Sequence, residues 1–151
     1  MEPTQHRIEI SDLVAQYVEA VATADRDLFR SVWAEDASWV VDGRGTFRGP
    51  DEITELFWRL RMRQELAVQR VVSGRAVVHP DNASASGRWV IHSLTRTEGV
   101  GAELVGIYDD KYVYERHRWQ FLERAFSPLY RGPVELGGTV FAPPATSRLG
   151  R

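Results

Sequence analysis

The chain has 151 residues, 43% of them apolar and 26% charged, with a formal net charge of −2. That length fits one domain able to bury a continuous core, and the charge balance, with no basic run interleaved with aromatics, argues against nucleic acid as a partner. The absence of cysteine removes disulfides, thiolate metal sites and a thiol nucleophile, and it fits a reducing, cytoplasmic setting.

In chain order, "MEPTQHRIEI" is charged and lacks an apolar core, so no signal peptide is expected. No run approaches the roughly 18 apolar residues of a membrane span. From about Thr4 to Thr23, Ile10, Leu13, Val14, Tyr17 and Val21 follow the spacing of an amphipathic helix. "ADRD" breaks it, and a short helix is expected over about Leu28–Trp33. Residues 37–42 read as a strand, and Gly43, Gly45 and Gly49 mark a tight hairpin and turn. "GPDEITELFWRLRMR" reads as a third helix. Pro50 suits its first turn, Asp51 and Glu52 its positive end, and the arginines come late.

Four strand-like runs follow, roughly 68–79, 84–96, 102–115 and 118–127, joined as successive hairpins. Helices first and a meander afterwards imply an α+β domain with the helices on one sheet face. The Gly- and Pro-rich residues 128–151 read as an extended arm of a single domain, 1–151. The only lysine is Lys111, in a polar strand context, so Schiff-base chemistry is discounted.

Trp33, Asp36-Ala37, Trp39, "GRGTFRGP" (43–50), "GIYDDKYVYERHRWQFLER" (106–124), "SPL" (127–129) and "FAPP" (141–144) carry a resemblance. The chain resembles the SnoaL-like, nuclear transport factor 2-like superfamily, and within it the γ-hexachlorocyclohexane dehydrochlorinase and scytalone dehydratase branch. The resemblance implies a cone-shaped α+β barrel, with N-terminal helices packed in the concave face of a curved, mixed or antiparallel sheet. It implies an Asp–His dyad, an arginine on the last strand and an aromatic pocket. Asp25 matches the Asp and Arg124 the Arg. The His should fall within residues 64–74, near Val68 or Arg70, where there is none, and Ala20 stands where the family has lysine. Trp39, Phe47, Trp89, Ile91, Leu104, Tyr108 and Phe126 fall on expected substrate-binding positions.

Two readings stand beside each other for most candidates. Asp25 is either an acid/base group or the N-cap of the helix opened by "DRDL". Arg124 either contacts a ligand or forms a structural ion pair. Alternation puts Gln120, Leu122 and Arg124 on one face, and Trp119, Phe121 and Glu123 on the other. If Trp89, Ile91 and Ser93 face the pocket, His92 faces away; a one-residue slip would bring His92 in as a replacement base. Tyr17 and Tyr108 could donate hydrogen bonds to a carbonyl or alkoxide. Asp109, Asp110 and Glu115 are expected on the solvent side or at strand ends. His6, His79 and His117 read as solvated, and no histidine pair has metal-ligand spacing.

The function expected is a cofactor-independent, metal-free enzyme on a hydrophobic cyclic or polyketide-like small molecule, doing acid/base lyase, isomerase or cyclase chemistry without the Asp–His dyad. The alternative is a non-catalytic small-molecule-binding or assembly module, or an accessory subunit. A homodimer or homotrimer is expected, with Arg88, His92, Tyr112 and Tyr114 on an outer partner surface.

Overall fold

The apolar residues at helical spacing are the buried face of α1 (Pro3–Thr23) in the computed structural model, which describes residues 1–144 and Leu149. Pro3 occupies the first turn, where its missing N–H costs nothing. Ala24, at φ 54°, turns the chain left-handed and ends the helix. Asp25 then opens α2 (Arg26–Ser31). Next come β1 (Trp33–Val41), β2 (Gly45–Arg48) and α3 (Gly49–Arg61). Four long strands complete the fold: β3 (Leu66–Val78), β4 (Ser84–Thr97), β5 (Val100–Glu115) and β6 (Arg118–Pro133).

Among the described residues the strands form one sheet of six, in the order β2-β1-β6-β5-β4-β3. Neighbours are antiparallel except β1 and β6, which run parallel, with Trp39 opposite Arg124. The sheet is therefore mixed, because an early strand is inserted beside the last one. α1 lies on β3 and reaches β6, while α3 packs on β1, so the helices fill the concave side of the curved sheet. Rings seal this junction: Phe29 stacks on Phe57 with centroids 3.8 Å apart, and Trp33 packs against Trp39, Phe29 and Phe121. No helix among the described residues is long and apolar enough to cross a membrane.

Three one-residue surpluses bend the long strands: Val72 on β3, and Leu122 and Leu129 on β6. A bulge of this kind curves the strand and reverses which face the following residues meet. Leu122 has that effect here. Phe121 and Arg124 both point inward, correcting the simple alternation that set them on opposite faces.

Other expectations are also revised. The arm was expected from residue 128, but β6 runs on to Pro133, because the first half of β5 offers partners from Gly106 back to Ala102. Pro128 opens that ladder opposite Gly106, beside a bulge, and Pro133 ends it, positions where a missing N–H is tolerated. Beyond it, Leu136 O and Gly138 O accept from Arg96 Nη1 at 3.0 and 2.8 Å, which docks the tail on β4. The end of the expected arm, 145–148 and 150–151, lies outside the described residues. β1 starts at Trp33 rather than 37, since its first residues already pair with β6. Tyr112 is buried rather than part of an outer surface; the exposed apolar side chains include Val71, Val72, Val77, Leu129 and Tyr130.

Candidate functional site

A cavity of about 380 Å³ opens between the concave sheet face, α1 and α3. Its apolar wall comes from inward positions of successive strands: Trp39 on β1, Ile91 on β4, Leu104 on β5 and Phe126 on β6. Val21, Phe57 and Leu60 close it from the helices. The rim carries Arg44 and Asp42, which accepts from Arg131 at 3.1 Å; Glu103 also borders the cavity, but its carboxylate pairs with His92 on the outer sheet face at 2.9 Å.

The inner end is polar. Tyr17 from α1 and Tyr108 from β5 share a hydrogen bond of 3.1 Å between their hydroxyls, and Gln69 Nε2 donates to Tyr108 at 3.4 Å. Behind the tyrosines lies Arg124, fully enclosed, its guanidinium 3.7 Å from the Tyr108 ring centroid and 4.3 Å from that of Tyr17. Its Nε and Nη2 donate to the two carboxylate oxygens of Asp110 at 3.0 and 3.3 Å. Tyr112 donates to the same carboxylate at 2.7 Å, and Trp89 Nε1 donates to Tyr112 at 2.6 Å. One chain of polar contacts thus runs from the cavity into the core.

Burial pushes the Tyr17 hydroxyl well above the usual tyrosine value, so it stays protonated as a donor at neutral pH. Burial lifts Tyr112 in the same way, reinforced by the Asp110 charge. Desolvation alone would lower Arg124, but the carboxylate and the surrounding phenols outweigh it and keep the guanidinium charged. Burial raises the Asp110 carboxyl, against the pull of Arg124 and the Tyr112 hydroxyl.

Of the eleven residues marked in the sequence, Tyr17, Tyr108, Trp39, Ile91, Leu104 and Phe126 meet around the cavity. The other five do not line it. Arg124 forms its ion pair with Asp110, and Asp110 is therefore interior rather than on the solvent side, since it shares the inward face of β5 with Tyr108 and Tyr112, two residues to either side. Asp25 caps α2, accepting from Leu28 N at 3.0 Å. His92 points to the outer sheet face, as the register with Ile91 and Ser93 inward requires. Trp89 lies over Gly74, where an added Cβ would sit 2.0 Å from its ring, and bonds Tyr112 instead of reaching the cavity. Phe47 lines a neighbouring trough against α3.

Among the lining residues that escaped the sequence reading, Gln69 and Arg61 are polar groups aimed at the interior. Gln69 lies between Val68 and Arg70, inside the stretch searched for a histidine, and strand alternation from buried Ala67 would have pointed it inward. Arg61 gave no such signal. It turns in from the end of α3 and donates to Val21 O, Ala22 O and Gln64 O at 2.7, 3.2 and 2.8 Å, setting its charge on the negative end of α1. Burial lowers its pKa.

Residues 2–125 match a family model described as the SnoaL-like domain. The chain is 25% identical over 142 residues to the gamma-hexachlorocyclohexane dehydrochlorinase of Sphingobium indicum, spanning 91% of this chain and 88% of that protein. Its fold is similar to that of a crystallised hexachlorocyclohexane dehydrochlorinase, with TM-score 0.78, 20% identity, and 92% and 94% of the two chains covered. It is also similar to a candidate scytalone dehydratase from Novosphingobium aromaticivorans, with TM-score 0.77, 14% identity and 93% of each chain covered.

Proposed function

Because the chain belongs to the SnoaL-like domain family, we propose that it is a cofactor-independent enzyme acting on a hydrophobic cyclic or polyketide-like small molecule. The chemistry is of the lyase, isomerase or cyclase kind, driven by proton transfer in an apolar cavity. One observation carries the reading: a pair of hydroxyls, Tyr17 and Tyr108, at the polar end of an otherwise greasy cavity, backed by Arg124.

The hydrogen-bond inventory supports it. Two phenols hold two donor protons, and their mutual bond uses one. The other is left for a substrate oxygen or leaving group. Negative charge developing there gains from that hydrogen bond and from the guanidinium beneath the rings, in a site where little water screens it. In this mechanism Asp25 acts through the start of α2 rather than on the substrate.

A second reading has its own support. Of the acids that line the cavity, Asp42 is paired with Arg131 at its rim and Glu103 with His92 on the outer sheet face. A cavity whose inner end offers no free carboxylate suits a protein that binds such a molecule and leaves it unchanged. One experiment separates the two. The protein is incubated with a panel of cyclic hydroxyketones and cyclic halides, and mass spectrometry follows substrate and product. Turnover that Tyr108→Phe reduces about 100-fold in kcat, with KM little changed, is the enzyme's outcome. Ligand bound with Trp39 fluorescence quenched, yet recovered intact after hours, is the binder's. The exposed valines and Tyr130 of the outer sheet support self-association as a homodimer or homotrimer, which light scattering would weigh directly.

A further inference from the structure

A trough of about 630 Å³ lies beside the cavity, between the β1–β2 turn and α3. Phe47, Leu56 and Leu60 supply apolar lining, and Arg44, Arg59 and Arg63 the charge. Arg44 and Leu60 also line the cavity, so the two spaces share a wall.

The charge of the trough is one-sided. No carboxylate lines it, and no ion pair among the described residues engages any of the three arginines. The acids nearest in sequence are engaged elsewhere: Asp42 with Arg131, Glu65 with Arg96, Glu55 with Arg26, Asp51 with Arg30, and Glu52 with the backbone N–H of Arg48. In a chain of net charge −2, three arginines lining one trough without a counter-charge are not forced by composition. Like charges brought together repel, and an anion seated among them relieves that cost. Guanidinium forks are also well matched to carboxylate, sulfonate and phosphate oxygens.

We infer that the trough holds the anionic arm of the molecule whose ring occupies the cavity: the ligand is an amphiphile, an apolar cyclic body joined by a short linker to an anionic oxygen group. This rests on the reading of the cavity as an apolar ligand site. The shared wall sets the geometry, with the body inside and the anion at the rim. The arginines act as recognition residues, and Arg59 and Arg63 do not line the cavity that holds the Tyr17–Tyr108 pair.

Two fluorescent probes with one ring system test it. N-phenyl-1-naphthylamine is neutral, and 8-anilinonaphthalene-1-sulfonate adds a sulfonate. The native protein is expected to bind the sulfonate about tenfold more tightly at low salt, with the advantage shrinking as salt screens it. The double variant Arg59→Gln, Arg63→Gln, which leaves the cavity lining intact, is expected to lose most of that advantage and bind the neutral probe as before. Both side chains are exposed, so the variant gives up no buried contact, and circular dichroism checks its fold. Equal affinities in the native protein, or an advantage that persists in the variant, overturn the inference. A neutral probe that binds without any sulfonate advantage sinks the anion site alone. A sulfonate that binds through the arginines while the neutral probe does not bind sinks the apolar cavity instead. Failure of both probes removes both readings.

Discussion

A fully enclosed arginine is the most demanding residue in this molecule. Arg124 repays its desolvation through Asp110 and through the faces of Tyr17, Tyr108 and Phe121. Removing its partner leaves a buried charge uncompensated, so Asp110→Asn is expected to cost about 3–5 kcal/mol in urea unfolding. Tyr112→Phe deletes one donor to the same carboxylate and is expected to cost about 1–2 kcal/mol. Equal and small losses for the two would mean the pair contributes little. The inward face of Arg124 was legible from the sequence, but its partner was not. Acids are assigned outward by default, and Asp110 overrides that default only because Tyr108 and Tyr112 flank it at strand spacing. The resemblance assigns Trp89 to the pocket by its position, while Gly74 opposite it makes room for the ring within the sheet.

At the level of elements, the short α2 depends on its cap more than on its length. A helix of this size has little cooperative stability of its own, and Asp25 satisfies one of its first N–H groups. Asn caps as well as Asp, and Ala does not. Asp25→Asn is therefore expected to keep both thermal stability and turnover, whereas Asp25→Ala is expected to lose about 1 kcal/mol. Collapse of turnover in the Asn variant, with stability intact, would return Asp25 to acid/base chemistry. The helices were readable because their apolar periods and Pro, Asp and Gly signals agree. The bulge at Leu122 was not, since nothing in "WQFLER" marks the extra residue. It is imposed by pairing with β5, and it alone decides that Phe121 and Arg124 share a face.

For the molecule as a whole, burial of tyrosine hydroxyls sets an alkaline limit. Tyr17 and Tyr112 have folded-state pKa values above the unfolded value of about 10. The native state therefore holds protons that the unfolded chain releases. The stability they contribute is complete below about pH 10 and is lost as pH rises further. Denaturant midpoints measured from pH 8 to 11 are expected to fall, and the fall should be shallower in Tyr17→Phe and Tyr112→Phe. A flat profile would place both hydroxyls in contact with water. The fold class was legible, because helices followed by hairpins leave few arrangements. The mixed sheet was harder, since the order of strands along the chain argues for a meander and hides the pairing of β1 with β6.

That parallel pairing also governs when the molecule can first exist during synthesis. Trp33 waits for Phe121, and Trp39 for Arg124. At about 5–20 residues per second, β1 leaves the ribosome on the order of 5–15 s before its neighbour. For that interval β1 has only the short β2 beside it, with Trp39 opposite Phe47, and no partial chain short of β6 can close the core. The nascent protein must either be shielded or stay loosely collapsed until its last strand arrives, then fold in one late step rather than from the N-terminus onward.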